Sequence, residues 1–324
     1  MNADFDDARR GLERLAFYTQ AETADVEIQR LGGLTNRVFM VSGPRGRHVL
    51  RIPGNGTETY INRRVEAVAA RAAARAGVSP QVIATTDDGL MLTVAIENAA
   101  TMTPESFNAN PAAVARAGAA LAALHRSGEK FDFRFELFSM IDDYLKILKA
   151  KNCPVPEGYP QALAAAEDVR RALNARELPL VACHCDPLSE NFLDTGERMW
   201  IVDWEYSGMN DPIWDVGDFA VEAQLTPENE RVLRDSYFAG TPTPGQLGRY
   251  VIYKAMCDLL WTLWGLIQHA DGNPVEDFWA YANRRFARCK KLMDSPEFPM
   301  HVKNVLRCTN APQPLAPDER RSSG

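Results

Sequence analysis

The chain is short of cysteine, of positive charge and of long apolar runs, and each shortage removes a class of protein. Its six cysteines (Cys153, Cys183, Cys185, Cys257, Cys289 and Cys308) are dispersed over 324 residues and none forms a Cys-x-x-Cys pair. That excludes a disulfide framework and predicts buried thiols. Lys and Arg number 36 against 43 Asp and Glu, a formal net charge of −7. Affinity for nucleic acid normally rests on a basic surplus, so no nucleic-acid partner is expected. The pairs Arg9-Arg10, Arg63-Arg64 and Arg170-Arg171 read as solvated helix faces. No stretch approaches the roughly 18 consecutive apolar residues of a membrane span. The most apolar one, 255–267, is broken by Asp258. The first residues, Met-Asn-Ala-Asp-Phe-Asp-Asp, are acidic where a signal peptide is cationic, so the expectation is a cytoplasmic protein with no integral membrane segment. No repeat of solenoid period is present.

What remains is an ordinary globular composition, 46% hydrophobic and 24% charged, with a length that usually divides in about two. An amphipathic helix is expected over 5–17, then strand-like runs at 26–30, 36–42 and 47–52. A helix over 61–76 ends at Gly77, and further strands fall at 81–84 and 90–96. Three strands, a helix and two strands predict a small antiparallel sheet with one packed helix. From about Pro104 the texture turns helical, over 111–125, 136–151, 159–174, 212–224, 227–238, 244–269 and 274–292, several starting at Pro. The single strand-like interruption expected there is 192–193 with 199–202. The chain after about 308 reads as an extended or disordered tail. The fold class is therefore α+β, with a boundary after Glu97: residues 1–97 carry the sheet and residues 98–324 are mainly helical.

The densest polar motif is His184-Cys185-Asp186-Pro187-Leu188-Ser189-Glu190-Asn191, followed twelve residues later by Asp203 in Trp200-Ile201-Val202-Asp203-Trp204-Glu205. A loop carboxylate, a carboxamide five residues on, and a second carboxylate at the end of an apolar strand can hold Mg²⁺, which prefers oxygen ligands and nucleotide phosphates. Asn191 and Asp203 are the candidate metal ligands. Asp186 is then free to accept the proton of an attacking hydroxyl, and the spacing H-x-D-x-x-x-x-N matches the catalytic loop of protein-kinase-like enzymes. Asp215, where a helix should begin, is either an N-terminal-turn carboxylate or a brace for that loop.

Within 1–97, Leu31-Gly32-Gly33-Leu34-Thr35-Asn36-Arg37 joins two strands. Gly33 permits close approach of backbone N–H groups to phosphate, and Thr35 and Asn36 add donors; a plain hairpin turn is the alternative. Arg51 ends the strand His48-Val49-Leu50-Arg51, and Glu66 follows on the helix. Such a pair either clamps nucleotide phosphates, with Arg in the usual Lys position, or is an exposed ion pair of little value.

These residues resemble the choline/ethanolamine kinase branch of the aminoglycoside-phosphotransferase-like superfamily. More specific are Arg51-Ile52-Pro53-Gly54-Asn55-Gly56-Thr57 with Ile61-Asn62-Arg63, and Asp203-Trp204-Glu205-Tyr206, which is similar to the family's D-F-E-Y segment; the likeness runs over 31–286. The resemblance implies a two-lobed protein-kinase-like fold holding ATP between its lobes, with adenine against a hinge near Val94 and Ile96. Trp261 and Trp264, three apart on a helix, are core residues or cation-binding aromatics. The resemblance favours the latter, together with Tyr281 and with Glu222 as the ammonium-binding carboxylate. No aromatic follows Glu222 in 223–227 to close that pocket. The expected activity is ATP- and Mg²⁺-dependent conversion of choline to phosphocholine. Ethanolamine, thiamine, an aminoglycoside or a sugar remain as other acceptors, and a catalytically silent kinase-like binder as the rival of another class. Oligomeric state is not legible.

Overall fold

A computed structural model describes residues 3–32, 36–54, 61–176 and 178–307. Gly33, Thr35, the 55–60 segment and the tail from Cys308 lie outside the described residues.

The N-terminal lobe runs α1 (Ala3–Arg14), α2 (Gln20–Asp25), β1 (Glu27–Arg30), β2 (Arg37–Gly43), β3 (Gly46–Ile52), α3 (Arg63–Arg75), β4 (Val82–Thr85) and β5 (Met91–Val94). The strands form one antiparallel sheet in the order β1-β2-β3-β5-β4, with Arg51 opposite Val38 and Met91. Alternation puts Phe39, Val41, Leu50 and Leu92 into a small core beneath Ala8 and Leu12 of α1. The small residues Ala69, Ala70, Ala72 and Ala73 of α3 belong instead to the large core of the helical lobe. Helix α2 was not expected. Its signal was present: Thr19 and Glu22 form a reciprocal capping box.

Beyond the sheet come β6 (Ala100–Thr101), α4 (Pro104–Ala109), α5 (Pro111–Arg126), α6 (Leu137–Ala150), α7 (Tyr159–Asn174), β7 (Val181–Cys183), β8 (Phe192–Asp194), β9 (Met199–Ile201), β10 (Gly208–Asn210), α8 (Ile213–Glu222), α9 (Pro227–Phe238), α10 (Pro244–Ala270), α11 (Phe278–Met293) and α12 (Phe298–Arg307). Prolines at the first turns of α5, α9 and α10 follow Asn110, Thr226 and Thr243, whose side chains accept the next free N–H groups. Helix α11 begins at Phe278 rather than Pro274, because Asp277 caps it. The one expected strand interruption is in fact two small sheets, β6-β8-β9 and β7-β10. Strands of two or three residues are too short to show alternation, and pairings such as Gly208 with Cys183 join distant segments. Helices α4 and α12 also went unforeseen.

Helix α10 is the axis of the helical lobe. It is long and apolar enough by composition to cross a bilayer, although no uninterrupted apolar run marks it, and 83% of its most apolar stretch is buried. It packs on α6, α8, α11 and α12, the arrangement of a core helix. Among the described cysteines all are free thiols, buried except for half-buried Cys153.

Helix α8 approaches α10 at Gly217, where a Cβ would lie 3.0 Å from both the Tyr250 carbonyl oxygen and the Tyr253 Cβ. Backbone cannot yield there as a flexible side chain could. Gly217→Ala is expected to cost about 1–3 kcal/mol, read as a lower urea midpoint with unchanged slope.

Candidate active site

Strand β7 delivers His184, Cys185 and Asp186 into a loop whose backbone is held from below. The N–H groups of His184 and Cys185 donate to the two carboxylate oxygens of Asp215, at 2.7 and 2.8 Å. Asp215 is fully buried in the first turn of α8 and also meets His125 Nε2 at 2.9 Å. Cys185 has φ +67°, a conformation the paired N–H groups help to stabilise, and its carbonyl accepts from Trp214 Nε1 at 3.1 Å. Of the two readings of Asp215, the brace is the one the geometry shows. His184 is buried and kept neutral by desolvation. Its Nε2 donates to the Val202 carbonyl at 2.9 Å, so Nδ1 is left to accept from the Asp186 N–H at 3.4 Å.

Asp186 is pushed up to about 8, first by burial and then by the negative field of Glu222. Asn191, at the end of the short 3₁₀ turn Ser189–Asn191, donates its Nδ2 to the Asp186 carbonyl at 3.0 Å. Its own backbone carbonyl accepts from Val202 N–H at 2.9 Å, which ties this loop to the turn carrying Asp203. Asp203 also sits at φ +67°, two residues past β9. Its Oδ1 is buried without a hydrogen-bond partner, and burial and Glu205 push its carboxyl well above the usual range.

The sheet side closes on this turn through charge. Arg51 pairs with Glu66, reaches Glu205 at 3.2 Å and stands 3.7 Å from Asp203 Oδ1. Arg63 pairs with the same Glu66 and Glu205, and Asn36 Nδ2 donates to Glu205 at 2.9 Å while its Oδ1 accepts from Gly54 N–H at 3.3 Å. The Arg51–Glu66 pair is therefore a buried network, not an exposed pair; Arg51 is 11% exposed and Glu66 1%. Arg63 and Glu205 were not singled out from sequence, although Glu205 lies inside the Asp203 motif.

The carboxylates of Glu66, Asp203 and Glu205 come within 4.8 Å of one another. Two arginines neutralise Glu66 and Glu205, so the oxygen left without a hydrogen-bond partner is Asp203 Oδ1, and the turn that carries it is tied to Asn191 through Val202. An all-oxygen set with an orphaned buried carboxylate oxygen fits a hard divalent cation.

The aromatics are carried by α10 and α11. Trp264 meets Tyr281 at 5.9 Å and Phe278 at 5.6 Å between ring centroids, and it is only partly buried. Trp261 is 3% exposed and packs edge-on against Tyr206 at 5.3 Å. Tyr206 was not singled out from sequence, yet it provides an aromatic that 223–227 lack; its signal was its position directly after Asp203-Trp204-Glu205. Burial, and then the negative fields of Glu222 and Asp186, push the Tyr281 hydroxyl up, against the lowering field of Arg285. Glu222, expected to await an ammonium, is instead ion-paired with Arg285 at 2.6 Å. Arg285 was missed, as was Asp218; yet Asp215, Asp218 and Glu222 at spacings of three and four mark one face of α8. Val94 and Ile96, both half-buried, carry the chain from β5 toward β6.

A sheet-bearing lobe whose buried Arg–Glu network meets a braced H-x-D loop defines a phosphotransferase. Residues 27–250 match the Phosphotransferase enzyme family. A crystal structure of a choline/ethanolamine kinase family protein from Mesorhizobium loti is 56% identical, covers 94% of this chain and 99% of its own, and superposes with a TM-score of 0.84. The chain belongs to the choline/ethanolamine kinase family, and is a phosphotransferase with an alcohol group as acceptor. It is also similar to choline kinase LicA from Streptococcus pneumoniae, at 24% identity over 90% of this chain and 99% of that one, TM-score 0.75. Protein LicA of Haemophilus influenzae is 28% identical over 83% of this chain and 80% of its length.

Because Asp215 accepts two buried N–H groups, Asp215→Asn would turn an amide N–H toward one of them. The expected cost is about 1–3 kcal/mol of stability. In steady-state assays kcat should fall while the KM for nucleotide changes little.

Proposed function

We propose that the protein transfers the γ-phosphoryl group of ATP, with Mg²⁺, to the hydroxyl of a small amino alcohol, choline before ethanolamine. The observation that carries this reading is the pair of ring contacts Trp261–Tyr206 and Trp264–Tyr281, with Trp261 Nε1 3.4 Å from a carboxylate of α8. A quaternary ammonium offers no N–H to hydrogen-bond and is bound by aromatic faces and negative charge. In this reading residues 1–97 hold the nucleotide, residues 98–324 hold the acceptor and catalytic loop, and both substrates are met in the cytoplasm.

Mg²⁺ when bound would offset charge between the β- and γ-phosphates, and Asn191 and Asp203 are the residues that would hold it. Asp186 orients the acceptor hydroxyl and takes its proton as the new P–O bond forms and the bond to the β-phosphate oxygen breaks. Arg51, fixed by Glu66 and Glu205, points its charge toward the α- and β-phosphates, and the 31–37 loop with Gly33, Thr35 and Asn36 supplies further donors. Val94 and Ile96 offer the adenine its resting edge. Phosphoryl transfer asks for little covalent chemistry, so positioning and charge stabilisation carry the rate.

The test is ADP release over choline, ethanolamine, its methylated intermediates, thiamine and aminoglycosides. Choline should give the highest kcat/KM, and a response to aminoglycosides alone would overturn the proposal. Asp186→Ala and Asp203→Asn should each lower kcat by about 10²-fold or more. Asn tolerates the left-handed backbone at 203, so Asp203→Asn should retain a cooperative melt. Full activity in a folded Asp203→Asn variant would remove the metal assignment, and no thermal shift with Mg-ATP would favour a silent binder.

A further inference from the structure

The acceptor side of the site holds more carboxylates than cations, and the cations present are already committed. Arg285 donates to Asp258 Oδ1 at 3.2 Å and to Glu222 Oε2 at 2.7 Å, and its guanidinium lies 4.7 Å over the ring of Tyr281. Asp258 also takes both arms of Arg288, at 2.6 and 2.9 Å. Arg285 thus cancels the charge of Glu222 and covers one face of Tyr281, two features that would otherwise draw a substrate cation.

Asp218 has no such partner. It is fully buried on the same face of α8 as Asp215 and Glu222, and it forms no salt bridge among the described residues. Its Oδ2 accepts only a long bond, 3.4 Å from Trp261 Nε1, and its Oδ1 has no hydrogen-bond partner at all. Leaving a buried carboxylate oxygen unmatched is costly unless something else supplies the missing charge. Burial and the fields of Glu222 and Asp186 push its carboxyl well above the usual range, as expected of an acid without a cation. Trp261, the ring beside it, meets Tyr206 edge-on in turn. An unpaired carboxylate and two aromatics are therefore in contact, Asp218 with Trp261 and Trp261 with Tyr206.

We propose that Asp218, rather than Glu222, receives the ammonium of the acceptor, and that Arg285 is the positioning residue that makes it so by holding Glu222 and one face of Tyr281. The proposal rests on the amino-alcohol reading and narrows it to an alcohol carrying one compact positive charge. Polycations are disfavoured because Glu222 and Asp258 are already neutralised.

The decisive variant is Asp218→Asn, which keeps an acceptor for Trp261 Nε1 and removes only the charge. KM and kcat are measured for choline, for ethanolamine, and for the uncharged alcohol in which tert-butyl replaces trimethylammonium. The KM of both cationic alcohols should rise about tenfold or more, the value expected when a charged partner is lost, while the KM values for the neutral alcohol and for Mg-ATP stay within about twofold. Equal losses for charged and neutral alcohols, or an unchanged KM for the cations in a folded variant, overturn the proposal. A second comparison does not depend on that variant. Glu222→Gln should raise the KM of the cations by exposing them to the Arg285 charge that Glu222 no longer offsets, and Glu222→Gln with Arg285→Gln should restore it. If the double variant stays as poor as the single one, Glu222 contacts the ammonium itself and the proposal fails. A wild-type enzyme that turns over no amino alcohol removes the proposed function and this inference together. An active wild type with an indifferent Asp218→Asn removes this inference alone.

Discussion

The buried carboxylate of Asp215 is the point from which the catalytic loop hangs. Two consecutive N–H groups, those of His184 and Cys185, converge on its two oxygens, and His125 supplies a third contact. Consecutive N–H groups aim at one acceptor only where the backbone leaves the extended path of β7, and the positive φ of Cys185 is that departure. Once the turn is set, the side chain of Asp186 and the neutral imidazole of His184 have little choice of direction. Asn191 and Val202 pass the same constraint on to Asp203. Helix α8, which carries Asp215, is itself fixed against α10 by the close contact at Gly217. The position of the reacting groups is thus a consequence of helix packing in the large core.

Charge is arranged differently on the two sides of that loop. Toward the sheet, Arg51 and Arg63 are shared by Glu66 and Glu205, and Asp203 keeps an oxygen with no hydrogen-bond partner among the described residues. Toward the helices, Arg285 and Arg288 neutralise Glu222 and Asp258, and Asp218 keeps the unmatched oxygen. Replacing a buried ion network by apolar residues is often harmless to stability, so such networks are weak evidence for a stabilising role. Here their effect is selective: they use up carboxylates at some positions and leave particular ones short of positive charge.

Much of the scaffold was legible because its signals are local. Alternation in 36–42 and 47–52 marks β2 and β3, prolines after a capping residue mark α5, α9 and α10, and the spacing from His184 to Asn191 marks the catalytic loop. The elements that escaped are those without a local signal. Strands β7 and β10 have three residues each and exist because they pair with each other across the loop. Helices α2 and α4 are the exceptions, since each carries a local start signal, the Thr19–Glu22 capping box and the Thr103–Ser106 box with Pro104 in the first turn.

The site divides along the same line. Sequence by itself determined which residue types stand at the catalytic spacing, that Arg rather than Lys ends β3, and that two tryptophans share a helix face, because each is a property of neighbours along the chain. Tertiary structure alone decided that Asp215 braces the loop and that Arg51 and Glu66 are buried. It also decided that Glu222 is consumed by Arg285, which lies 63 residues away. Those outcomes depend on which charges meet in the interior once α8, α10 and α11 pack. The energy of a charge is set by that company and by its distance from water, neither of which is written in the order of residues.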